Sequence, residues 1–144
     1  MGNDTMGKVL VEAKLENVID LYQARSGVIT DEQVRRLVID DALVDTGATT
    51  LSMPRRMIQQ LGLESLRTRQ ARTSAGIVTV GMFGPVRLTI DGRDCSLDVT
   101  ELPDDCPVLI GQIPLELLDF IVDPRNHRLI GNPEHGGEHI IELY

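Results

Sequence analysis

A chain of 144 residues, 42% hydrophobic and 25% charged, has the size and make-up of one folded domain with a real core. Its net charge of −8, from 14 basic and 22 acidic residues, leaves no basic surplus to neutralise phosphates and argues against a nucleic-acid partner. No apolar run approaches the roughly eighteen residues of a membrane span, so no membrane partner is expected.

With no Trp, two Phe and two Tyr, the core has to be built from Val, Leu and Ile. The N-terminus lacks the basic and apolar regions of a signal peptide, and Met6 breaks the myristoylation pattern. Cys95 and Cys106 are too few for a disulfide framework and lack metal-ligand spacing. The expectation is a cytoplasmic protein with two free thiols.

In chain order, residues 1–6 are polar and read as a disordered terminus, followed by a single domain over 7–144. Lys8 to Ala24 alternates at Val9, Val11, Ala13 and Leu15, then carries Val18, Ile19 and Leu21, and reads as a long strand with an interruption. Arg25-Ser26-Gly27 supplies a turn, and Val28-Ile29 opens a second extended segment. Asp31 to Val34 fits a hairpin end or one helical turn equally well. Val34 to Val44, rich in aliphatic and β-branched residues, reads as a strand entering the core.

Ser52 suits an N-cap with Pro54 in the first turn, and Arg55 to Leu61 is a helix with Met57, Ile58 and Leu61 on one face before Gly62 stops it. Leu66–Ser74 and Ile77–Phe83 read as a hairpin tipped by Ala75-Gly76 and broken afterwards by Gly84-Pro85. On its first strand, Arg67, Arg69 and Arg72 read as one solvated face. Val86–Ile90 and Asp94–Thr100 form a second hairpin about the strong turn Asp91-Gly92, with Cys95, Leu97 and Val99 on one face.

Val108–Ile110 is a short strand ending at Gly111, and Ile113 to Leu118 a short helix. Phe120–Val122 and Arg128–Ile130 pair about Pro124-Arg125-Asn126. The closing residues Ile140, Ile141 and Leu143 are apolar and call for a docking partner. About nine strands and two short helices make the fold all-β, a closed or sandwich-like barrel rather than an α/β sheet.

Two stretches carry chemistry. Asp45-Thr46-Gly47 follows an apolar strand, which places a carboxylate in a tight loop with Thr46 and the Gly47 amide as candidate donors. As turn residues alone, Asp and Gly would be ordinary. Pro107-Val108-Leu109-Ile110-Gly111, before the short helix, is the second.

In that order, an apolar-Asp-Thr-Gly-Ala loop and an apolar-apolar-Gly before a short helix resemble the retropepsin-type aspartic proteases, above all their small prokaryotic single-domain relatives. The resemblance runs from Lys8 to Asp123. It implies an all-β acid-protease barrel with one or two short helices, an obligate homodimer, and an aspartic endopeptidase without cofactor or metal. Asp45 would be catalytic. Thr46, Gly47 and Ala48, with Ala75, Gly76 and Ile77 of a flap hairpin, would bind an extended peptide or protein substrate.

One Asp-Thr-Gly cannot supply the two carboxylates such hydrolysis needs, so the dyad requires Asp45 from two chains. Many retroviral members have Arg after the apolar-apolar-Gly, where this chain has Gln112, and an amide does not replace a bidentate guanidinium. The alternative is therefore a retropepsin-like dimeric binding or scaffold module with little or no turnover. His135 and His139, with Glu134 and Glu138, form the one rival site, but metal binding at this spacing needs a helix, and Gly136-Gly137 argues against one.

Overall fold

The computed structural model describes residues 8–143, so the terminus at 1–6 lies outside the described residues. The aliphatic alternation seen in the sequence becomes a closed barrel. Strands β1 (Val9–Asn17), β2 (Arg36–Val44), β3 (Leu51–Pro54), β4 (Glu64–Thr73), β5 (Gly76–Ile90), β6 (Arg93–Leu102) and β7 (Leu109–Ile110) pair in the order β1-β2-β7-β3-β6-β5-β4. Lys14–Asn17 of β1 also pair with Val86–Thr89 of β5, which closes a ring of six strands and leaves β4 as an edge strand outside it. β2–β7 and β3–β6 are parallel; the other pairings of this sheet are antiparallel.

From Met82 onward β5 buries every second residue, and the interior is aliphatic as the composition requires. Leu15, Leu51, Met53, Leu88, Val99 and Ile110 are fully enclosed, each stabilising the fold by roughly 1.5–3 kcal/mol. The expected turn at Asp91-Gly92 is present, both residues at positive φ (50° and 81°) as a two-residue hairpin demands.

Three short helices sit on the barrel, one more than the sequence reading counted: α1 (Val18–Arg25), α2 (Arg55–Gln60) and α3 (Gln112–Leu118). The extra one is α1, where the long strand from Lys8 to Ala24 was expected. Alternation stops at Leu15, and Asn17 caps a helix by accepting from the Asp20 N–H (3.0 Å) while its own amide donates to the Leu61 carbonyl (2.8 Å). Asp20 then holds Arg35 through two side-chain hydrogen bonds, fixing α1 against the start of β2. Val28 and Ile29 are not extended; both their amides fold back onto the Gln23 carbonyl. Asp31–Gln33 resolves as a single helical turn.

Two further expectations need correction. Ser52 is not a helix cap: Leu51 and Met53 are drawn into the core as β3, so Ser52 lies in that strand and Pro54 precedes α2. Gly84-Pro85 does not end β5, which runs on to Ile90. A register shift against β6 between Phe83 and Val86 absorbs the pair, as bulges accommodate Gly and Pro. β8 (Phe120–Asp123) and β9 (Arg128–Gly131) form the expected hairpin as a separate two-stranded sheet.

Candidate active site

The site is built where two strand ends meet. β2 delivers Asp45 and β7 delivers Gly111, and four backbone hydrogen bonds stitch their loops together. Asp45 N–H donates to the Ile110 carbonyl (3.0 Å), Gly111 N–H to Thr50 (3.0 Å), Gln112 N–H to Ala48 (2.9 Å) and Ile113 N–H to Thr49 (2.9 Å). The loop after Asp45 is thus held by the stretch that begins α3, although sixty-odd residues separate them in sequence.

Gly111 is the close-packed point of this junction. A Cβ there would lie 2.5 Å from the Thr50 carbonyl oxygen and 2.7 Å from that of Ala48. Its φ of −88° suits any residue, so the glycine is required by space rather than by conformation.

Within the loop the half-buried Asp45 carboxylate accepts from the Gly47 N–H (3.0 Å), one of the two donors anticipated; its carbonyl accepts from Ala48 N–H (3.0 Å). Thr46 is exposed and makes no side-chain hydrogen bond among the described residues, so the second anticipated donor does not reach Asp45 within one chain.

Beside the loop opens a cleft of about 770 Å³. Gly47, Ala48, Thr49 and Thr50 form one wall, and Arg67, Arg69, Gln70, Ala71, Arg72 and Thr73 of β4, with Val80 and Met82 of β5, form the other. Thr50 and Thr100, hydroxyl to hydroxyl at 3.0 Å, lie at its base with Ser52. Of the expected substrate-binding residues, Gly47 and Ala48 line the cleft. Ala75, Gly76 and Ile77 do not: they form the exposed tip of the β4–β5 hairpin, closed by Thr73 donating to the Gly76 carbonyl and accepting from Ala75 N–H.

The cleft lining that sequence reasoning passed over is the inner face of β4. Arg67, Arg69 and Arg72, read as one solvated face, are exposed as expected and also line the cleft; the signal available was the period-two spacing of Arg67 and Arg69 with Ala71 and Thr73.

The other reactive groups are occupied elsewhere. Cys95 packs against the core, where burial, helped by Asp94, pushes its thiol up to about 11. His135 is bound at one nitrogen to Asp119 and at the other to Glu142 (2.7 Å each), and His139 meets the Leu117 carbonyl. Pro133–His135 is a single turn ending at Gly136, so the two histidines do not share a helix. No group of three or more metal-ligating side chains converges among the described residues.

A six-stranded closed barrel whose Asp-Thr-Gly loop is locked to an apolar-apolar-Gly strand end defines an aspartyl protease domain of the retropepsin-like class. The family described as gag-polyprotein putative aspartyl protease matches residues 39–117, more than half the chain, and the protein belongs to that family. That span contains Asp45, the β4–β5 hairpin and Gly111. No match was found among curated proteins.

Proposed function

We propose that the protein is an aspartic endopeptidase whose dyad consists of Asp45 from each of two identical chains. The observation that carries this reading is the Asp45 loop itself: a half-buried carboxylate, oriented by an N–H from its own loop and braced by Gly111, beside a cleft of about 770 Å³. One ionised carboxylate accepts a proton from water while its protonated twin donates to the peptide carbonyl. The tetrahedral intermediate then expels the amine as that nitrogen takes up a proton.

A second copy supplies what one chain lacks. Thr46 is exposed and free to bond to its counterpart. Ile113 and Leu117 of α3, with Ile140 and Ile141 of the tail, present apolar side chains to solvent in the single chain. Leucine and isoleucine in that density mark an interface, and a second copy of this chain covers them. The hairpin tip at Ala75-Gly76-Ile77 would close over an extended substrate as a flap.

Asp45→Asn keeps the shape of the side chain but cannot act as base. Cleavage of an unstructured protein should fall by roughly 10²–10⁴-fold, with the circular dichroism and the sedimentation profile unchanged. A mutant as active as the parent would remove Asp45 from the chemistry.

A further inference from the structure

The cleft carries a charge opposite to that of the molecule. The chain is at −8, yet the lining contains three arginines, Arg67, Arg69 and Arg72, against one carboxylate, Asp98. Arg67 is neutralised by Asp98 at 2.6 Å. On the other side of the hairpin, Arg55 is likewise engaged by Glu101 (2.8 Å). Arg69 and Arg72 have no ion-pair or hydrogen-bond partner among the described residues, and Arg72 stands opposite Ile77, which lies at the exposed hairpin tip and does not line the cleft.

The direction of Arg69 follows from register. Arg69 stands opposite Val80 as Arg67 stands opposite Met82, and directly opposed residues of an antiparallel pair point to the same face. Val80 and Met82 both line the cleft, so the Arg69 side chain projects over the same space that Gly47 and Ala48 border.

We propose that Arg69 makes this cleft selective for peptides with an Asp or Glu side chain close to the scissile bond. The inference rests on the endopeptidase reading and adds the substrate class. Arg69 is exposed, and a planar guanidinium with its donors unused pairs bidentately with a carboxylate, beside the apolar side chains of Val80, Met82 and Ala48. The chain as a whole is acidic at −8, so the long-range field disfavours acidic peptides and the local contact at Arg69 has to supply the preference.

A mixture of unstructured peptides is digested, the cut sites are read by mass spectrometry, and a site with Glu near the cut is remade with Gln in its place. The Glu peptide should be cleaved with about five- to tenfold higher kcat/KM, the gain of one charge-assisted contact, and the ratio should shrink as salt is raised. In Arg69→Gln the ratio should fall to about one, while Arg125→Gln, which removes an equal charge from a remote exposed turn, leaves it intact. An equal rate for both peptides, or a ratio unmoved by Arg69→Gln, overturns the proposal.

If no peptide is cut in an Asp45-dependent way, the endopeptidase reading fails by itself. Fluorescence anisotropy of labelled Glu and Gln peptides then reads the cleft directly: tighter binding of the Glu peptide, lost in Arg69→Gln, supports the selectivity, and equal binding overturns it.

Discussion

A methyl group at residue 111 has nowhere to go. The atoms it would strike are carbonyls of Thr50 and Ala48 and the Thr49 carbonyl carbon, all backbone, so relief requires moving the loop that holds Asp45. Gly111→Ala should cost on the order of 2–3 kcal/mol of stability as an overpacked site, measurable by urea unfolding, and should lower activity more than the unfolded fraction accounts for. Loss of activity without loss of stability would mean that the loop yields cheaply. Glu16 shows the opposite use of a buried residue. Burial alone would raise its carboxyl, but hydrogen bonds from Arg87 and Arg36 outweigh burial and hold it below the ordinary value, so β1, β2 and β5 are pinned at one point of the ring closure. Both residues could be read from the sequence as a strand-end glycine and a strand glutamate. Their partners, 61 and 71 residues away, could not.

Among the elements, the tail after β9 has the most to decide. Its start is tied down: Ile140 N–H donates to Asp119, His139 meets the Leu117 carbonyl, and His135 bridges Asp119 and Glu142. Its end is held among the described residues by the Glu142 contact to His135, while Ile141 is 71% and Leu143 82% exposed. Two carboxylates facing one imidazole require both ring nitrogens to be donors, which only the protonated ring provides. Asp119, and after it Glu142, accordingly raise the His135 value above 6.5, while the His135 hydrogen bond, joined by the Ile140 N–H and Asn132, holds Asp119 down at about 2. His135 therefore contributes its stabilisation fully below the ordinary histidine range and loses it as pH rises through the raised value. Asp119 contributes above the ordinary carboxylate range and loses it only as pH falls through about 2. Tail docking should be firm between these limits and loosen on the alkaline side, following the His135 titration. The Ile140 amide resonance checks this: its pH dependence should disappear in His135→Ala, and an unchanged titration would place the control elsewhere.

For the whole molecule, the proposed dimer brings together two chains of −8, a total of −16. Such a pair repels itself at low ionic strength, and Gln112 supplies no guanidinium to offset the repulsion. Specific activity should fall on dilution as the dimer dissociates, and raising salt from low to physiological levels should move that fall to lower protein concentration. Sedimentation across the same series should show monomer appearing as activity is lost. Activity per chain that stays constant while the protein sediments as monomer would refute a shared dyad.

Most of the later strands, the Asp91-Gly92 turn, the β4–β5 hairpin, and the succession of an Asp45 loop and a Gly111 strand end were legible in the sequence, because each rests on local periodicity or on a residue type with few backbone options. The switch from strand to helix at Asn17, the drawing of Ser52 into β3 and the passage of β5 through Gly84-Pro85 were not legible. In each, contacts with distant residues outweighed local preference: the Leu61 carbonyl at Asn17, the core around Leu51 and Met53, and the partner strand β6. The cleft is the clearest division between the two. That β4 is rich in arginine is a property of the sequence, and its register against β5 is set by the hairpin turn; that Arg67 meets Asp98 of β6, and that this face of β4 lies over the cleft beside the Asp45 loop, was decided only when β6 and the loop after β2 were packed against the hairpin, since those contacts join residues far apart in sequence.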